Sequence, residues 1–171
     1  ELRDAGLQQA IVPILNVSFS GKSAGAKHYV RKKLASLEAR SGTVPVVYTK
    51  VDTDGTVGSL AADILRGCGA KRPYSLSGEK RWDRARQAIR SKGVCLLILD
   101  EFQRTGRRPT ISPVIAGKIL DIVDEGDCAC ALLGKTEAKQ VFASCDDLEN
   151  RLDAPVRMPR LNWLTDSVEF M

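Results

Sequence analysis

The sequence is short of the features that would send it to a membrane, a secretory route or a zinc site. No apolar run approaches the ~20 residues that a membrane-spanning helix needs, and no signal peptide is visible at the start of the chain. The single histidine and the five cysteines form no CxxC pair and no cluster with zinc-ligand spacing. Cys95, Cys128 and Cys130 fall within predicted strands, where a thiol behaves as a small hydrophobe. With an odd total, the cysteines fit a reducing, cytoplasmic setting better than a disulfide framework. There is no internal repeat and no low-complexity linker, so one domain over residues 1–171 is expected. A hydrophobic content of 43% is enough to fill its core.

What is present is clustered positive charge. The formal net charge is +5 and the isoelectric point about 9.0. Lys27, Arg31, Lys32 and Lys33 lie together, Lys71 to Arg90 is rich in basic residues, and Arg104, Arg107 and Arg108 form a third group. Each cluster fits a solvated helix face or a surface turned toward phosphates, and composition leaves both open.

The apolar pattern alternates between short runs and helical spacings. Strands are expected at Ile11 to Ser20, Val44 to Val51, Val94 to Leu99, Cys128 to Leu133 and Val156 to Leu161. Helices are expected at Lys27 to Ser41, Val57 to Cys68, Glu79 to Ser91, Val114 to Val123 and Glu137 to Ala143. Such alternation implies a mostly parallel sheet with helices on both faces. Arg104 to Pro113 is the least regular stretch and is expected to be an exposed loop.

Two segments carry chemistry. Val94-Cys95-Leu96-Leu97-Ile98-Leu99 ends abruptly in Asp100-Glu101. A run this apolar suits a strand buried on both faces, and the carboxyl end of such a strand is where open α/β sheets place ligands. By itself the pair also fits an acidic turn after a core strand. The second segment is Gly21-Lys22-Ser23-Ala24-Gly25-Ala26-Lys27-His28. Set against the phosphate-loop pattern G-x-x-x-x-G-K-[ST], Gly21 takes the first position and Lys27 the lysine. Ala26 then replaces the second glycine, and His28 the hydroxyl residue that reaches magnesium. Gly21, Ser23, Gly25 and Lys27 remain to present N–H groups and an ammonium to phosphates. A plain strand-to-helix turn explains the loop alone equally well. The loop followed by the acid pair, in that order, suits a phosphate-loop NTPase.

Three further segments give a family resemblance. These are Leu96 to Arg104 (LLILDEFQR), Gly134-Lys135-Thr136-Glu137-Ala138, and Asp146-Asp147-Leu148-Glu149-Asn150-Arg151-Leu152, followed by Pro155 to Trp163. Together they resemble the AAA+ ATPases of the TniB/TnsC type, which assist DNA transposition, over nearly the whole chain. The resemblance implies an α/β P-loop NTPase core with a five-stranded sheet. It implies ATP and Mg2+ as cofactors, with Asp100 at the metal and Glu101 polarising the attacking water. It also implies that Arg151 reaches a neighbouring subunit's ATP; a surface ion pair to Glu149 or Asp153 is the other reading of Arg151. Lys135 stands where the family usually has the threonine that senses the outer phosphate. The departures at Ala26, His28 and Lys135 predict a site that binds nucleotide weakly or not at all, and hydrolyses slowly if it binds. The family's helical lid would begin near Trp163, and the chain ends at Met171, so a core with the lid absent or truncated is expected.

Two functions follow from the resemblance. One is an ATP-dependent regulator that forms a homo-oligomer on DNA and recruits a transposase, with Arg104, Arg107 and Arg108 facing DNA. The other is a non-catalytic AAA+ module serving protein–protein contact.

Overall fold

The computed structural model describes residues 10–17, 20–35, 42–52 and 55–156. The elements run β1 (Ile11–Leu15), α1 (Lys22–Ala35), β2 (Val46–Lys50), α2 (Val57–Gly67), α3 (Gly78–Lys92), β3 (Leu96–Asp100), a 3-10 turn (Phe102–Arg107), α4 (Ser112–Asp124), β4 (Ala129–Gly134), α5 (Ala138–Ala143) and α6 (Asp146–Arg151). The four strands form one parallel sheet in the order β1-β4-β3-β2. Every strand-to-strand connection is therefore a crossover, which requires intervening helices.

Register explains the apolar run at β3. Leu97 pairs with Val47 on one side and Cys130 on the other, so β3 is interior to the sheet. Side chains alternate between faces. Leu97 and Leu99 join the core under α2, α3 and α4, while Ile98 joins the core under α1. Both faces are covered, and a continuous apolar strand is the result.

The helices on the larger face are amphipathic and locally well specified. α2 buries Leu60, Ala61, Ile64 and Leu65, each large side chain contributing about 1.5–3 kcal/mol. A capping box opens it: the Thr56 hydroxyl accepts from Ser59 N–H at 3.0 Å, and Thr56 N–H donates to Ser59 Oγ at 3.1 Å. A side chain at Gly67 would place its Cβ 2.6 Å from Val47 Cγ1, so glycine lets α2 close onto β2. α3 buries Trp82, Ala85 and Ile89 and ends at Gly93, whose φ of 64° supplies a left-handed cap. The turn before β4 is tied to α3 by Asp127, which receives Arg86 Nε at 2.9 Å and also Arg90.

Several expectations are refined or overturned. β1 stops at Leu15 rather than continuing to Ser20, and α1 begins at Lys22 rather than Lys27. Among the described residues there are four strands, not five. Residues 157–161 of the expected fifth strand lie outside the described residues, but Leu152 and Val156 make isolated parallel bridges to Ile11 and Ile14 on the outer edge of β1. The stretch Arg104 to Pro113, expected as an exposed loop, holds most of the 3-10 turn, with Thr105 buried, and the start of α4. α6 was not anticipated as a helix. Among the described residues, no helix is long and apolar enough to cross a membrane.

Candidate functional site

The carboxyl ends of β1, β3 and β4 converge on one cavity of about 640 Å³. Its wall on the β1 side is the turn into α1. Gly21 has φ 82°, open to glycine at no steric cost, and accepts Gly25 N–H at 2.8 Å as the first helical bond. Lys22 is thus the first helical residue, and with Ser23 it lines the cavity opposite Asp100 and Glu101. Its ammonium donates to Asn16 O at 3.1 Å, Val17 O at 2.9 Å and Ser20 Oγ at 2.9 Å. Burial lowers the Lys22 pKa below the usual lysine value, and the nearby Asp100 and Glu101 charges oppose that shift.

This placement divides the segment Gly21 to His28, of which only the beginning lines the cavity. Gly25, Ala26, Lys27 and His28 are inside α1, not in a loop ahead of it. The Lys27 ammonium lies 5.5 Å from the centre of the Tyr48 ring, outside the cavity lining. The segment that reaches the cavity is Gly21-Lys22-Ser23, the G-K-[ST] end of the pattern, with Asn16 where the pattern has its first glycine. Ala26 and His28 do not line this cavity. The signal for Lys22 was the uninterrupted Gly-Lys-Ser triplet, which the imperfect first position obscured.

The β3 side is built from the acid pair. Asp100 is 3% exposed. Its Oδ1 accepts Glu101 N–H at 2.8 Å, and its Oδ2 accepts Tyr48 Oη, from β2, at 2.5 Å. Tyr48 is pushed well above the ordinary tyrosine value, by burial first and by the hydrogen bond to Asp100 second, while a hydrogen bond with Ser23 acts the other way. Tyr48 thus ties the end of β2 to Asp100. Glu101 is the one non-glycine with positive φ among the described residues, at 61°. A left-handed glutamate costs roughly 1–3 kcal/mol and concentrates at functional sites.

Gln103 joins the acid pair to β4. Its Nε2 donates to Glu101 Oε2 at 2.8 Å, and its Oε1 accepts Lys135 N–H at 3.1 Å. No sequence signal singled out Gln103. Lys135 lines the cavity as expected, whereas the Thr136 hydroxyl lies 3.4 Å from Glu137 Oε2 and is exposed.

The three arginines expected at DNA are separated. Arg104 turns inward, with Nη1 donating to Val51 O at 3.1 Å and Nε 3.6 Å from Glu101 Oε2. Arg107 and Arg108 are exposed. Arg151 lies outside the cavity and pairs with Asp124 of α4, neither Glu149 nor Asp153.

The donor set fits a magnesium-bound nucleotide. Among the described residues no group of three His, Cys, Asp or Glu could cage a metal. Mg2+ instead favours one or two protein oxygens together with substrate phosphates, and Ser23 and Asp100, which line the same cavity, are hard oxygen donors. Each Asp100 oxygen keeps a lone pair beyond the bond it accepts.

Comparison with solved structures supports the architecture. The chain is similar to the Aeropyrum pernix ORC2 protein, solved in ADPNP-ADP complexes, with a TM-score of 0.68 at 16% identity over 88% of this chain and 42% of that one. It is similar to the Aeropyrum pernix ORC1 protein in complex with DNA, with a TM-score of 0.67 at 16% identity over 94% and 44%. The Pyrobaculum aerophilum Cdc6p structure matches with a TM-score of 0.58 at 16% identity over 86% and 38%. The chain thus spans less than half the length of each. A search of curated proteins finds no match. The fold is an AAA+ P-loop core, and the family model for the bacterial TniB protein matches residues 11–162: the chain belongs to the TniB family.

Proposed function

We propose that the chain is an ATP-binding AAA+ module of DNA transposition, with its nucleotide phosphates held between Gly21-Lys22-Ser23 and Asp100-Glu101. The observation that carries this reading is the placement of Lys22 opposite two strand-end carboxylates across one cavity. N–H groups at the start of α1 and the Lys22 ammonium supply positive charge for phosphate oxygens. Ser23 and Asp100 are the residues that would hold Mg2+, which neutralises charge developing on the phosphates. Glu101 orients and polarises a water for in-line attack. Lys135, at the end of β4, faces the same phosphates.

Calorimetry with MgATP tests the assignment. Lys22→Ala is expected to abolish the binding heat, and Lys27→Ala to leave it intact. Loss with Lys27→Ala and retention with Lys22→Ala would overturn it. Glu101→Gln is expected to keep binding and to lower single-turnover hydrolysis by at least about 100-fold.

The reading extends to partners. The family, the exposed Arg107 and Arg108, and the net positive charge support a DNA-associated homo-oligomer that recruits a transposase, with Arg151 presented between subunits. DNA retention that does not weaken with added salt would count against phosphate contacts by these arginines. A second reading, a module that binds nucleotide without turning it over, draws on one observation: Gln103 and Arg104 both hold the Glu101 carboxylate. A single-turnover burst removed by Glu101→Gln decides for hydrolysis.

A further inference from the structure

The Glu101 carboxylate is held at one oxygen. Gln103 Nε2 donates to its Oε2 at 2.8 Å, and Arg104 Nε lies 3.6 Å from the same atom, beyond hydrogen-bond length. Among the described residues nothing bonds Oε1, so half of the carboxylate keeps its accepting capacity. The polarity of the Gln103 link is fixed by its two partners. A backbone N–H only donates and a carboxylate only accepts. Lys135 N–H donates to Gln103 Oε1 at 3.1 Å, so the amide oxygen faces β4 and the amide nitrogen faces Glu101. A side chain in this place must accept at one point and donate at the next. An ionised carboxylate cannot donate, lysine and arginine cannot accept, and an aliphatic chain does neither. The carboxamide does both.

The surroundings hold Gln103 in this place. The 3-10 turn that carries it is anchored by Phe102, 1% exposed, whose ring stacks on Phe142 of α5 with centroids 5.6 Å apart. At the end of β4, a Cβ on Gly134 would lie 3.1 Å from Gln103 Oε1 and 3.0 Å from Ala138 Cβ. Glycine there leaves the space through which the carboxamide reaches Lys135.

We propose that Gln103 is the positioning residue for Glu101, and that it takes its own orientation from the end of β4. The inference rests on the reading of Glu101 given above. A ligand bearing on Lys135 shifts the backbone N–H that orients the carboxamide, and the carboxamide then shifts the carboxylate. The strand end that faces phosphates and the carboxylate that acts on water are set by one side chain. Gln103 works through Glu101 and not on the substrate.

The test compares the full chain with Gln103→Met and Gln103→Glu, both close to glutamine in size. The first removes both hydrogen bonds, and the second keeps an acceptor for Lys135 while losing the donor to Glu101. Without nucleotide, amide hydrogen exchange at Lys135 is expected to speed up in Gln103→Met. By calorimetry both variants are expected to bind MgATP as tightly as the parent. Single-turnover hydrolysis is expected to slow about tenfold or more in both. In a Glu101→Gln background, Gln103→Met is expected to add no further loss, because no carboxylate is left to place. Four results overturn the inference: unchanged rates in both variants, a faster rate in Gln103→Met, losses that multiply in the double variant, or unchanged exchange at Lys135. None of them alters the MgATP heat lost with Lys22→Ala or the hydrolysis lost with Glu101→Gln, so the nucleotide reading survives them. Absence of MgATP binding by the parent chain sinks both.

Discussion

The two faces of the sheet are built to different standards. On one, α2, α3 and α4 bury side chains such as Ile64, Ile89, Ile115 and Ile119 in one core with Leu97, Leu99 and Leu132 of the sheet. On the other, α1 contributes no fully buried residue, and the layer rests on Val46, Ile98, Ala131 and Leu133 with partly buried Ala26 and Val30. Small apolar cavities remain beneath α1, one of about 240 Å³ beside Ile14, Ala26 and Leu133. The difference teaches where rigidity is placed. The well-packed face fixes the strand ends that carry Asp100 and Glu101. The thinly packed face carries the helix whose first turn lines the cavity, and Lys22 ties that turn to Asn16, Val17 and Ser20.

The largest expected effect breaks the comparison directly. Ile119→Ala on the packed face should cost about 2–5 kcal/mol in urea unfolding, whereas Val30→Ala on the thin face should cost about 1 kcal/mol or less. Equal losses would show that α1 is as firmly packed as α4. A second prediction concerns linkage. MgATP should slow amide hydrogen exchange in α1 by at least about tenfold and change α4 little, because a ligand adds most protection to the element that local opening releases most easily. Uniform protection of both helices would erase the distinction.

Smaller effects sharpen the site end of the comparison. Tyr48 has its folded pKa raised from 10.0. The unfolded chain therefore loses this proton first as pH rises. The resulting stability is complete below about pH 10 and declines above it. Tyr48→Phe should flatten that alkaline decline, measured as melting temperature from pH 9 to 11. The smallest effect belongs to Arg151→Ala. Its pair with Asp124 is about half exposed on each side, so monomer stability should fall by less than about 1 kcal/mol. A larger loss of function in that variant would favour the proposed intersubunit role of Arg151.

How much of this was legible depended on sequence distance. β3 was plain because an interior parallel strand must be apolar on both faces, and its acid pair marks its own end. α2 and α3 were plain because their buried positions repeat at helical spacing. The lysine register was not. Two lysines follow small residues within one helical turn and a half, and Asn16 stands where a glycine would have anchored the pattern. α6 hid in a segment whose one fully buried side chain is Leu148, too few for a periodic signal. The links that complete the site could not be read locally at all. Tyr48 meets Asp100, and Gln103 meets Lys135, only because β2, β3 and β4 lie side by side.

The left-handed backbone of Glu101 sets stability against the proposed activity at a single residue. Glycine there would relieve the strain, since φ near 60° carries no Cβ penalty for it, while removing the carboxylate that faces the cavity. A library of variants at position 101 selected only for heat resistance would drift toward glycine. One selected for the nucleotide turnover proposed above would hold glutamate and keep the strain.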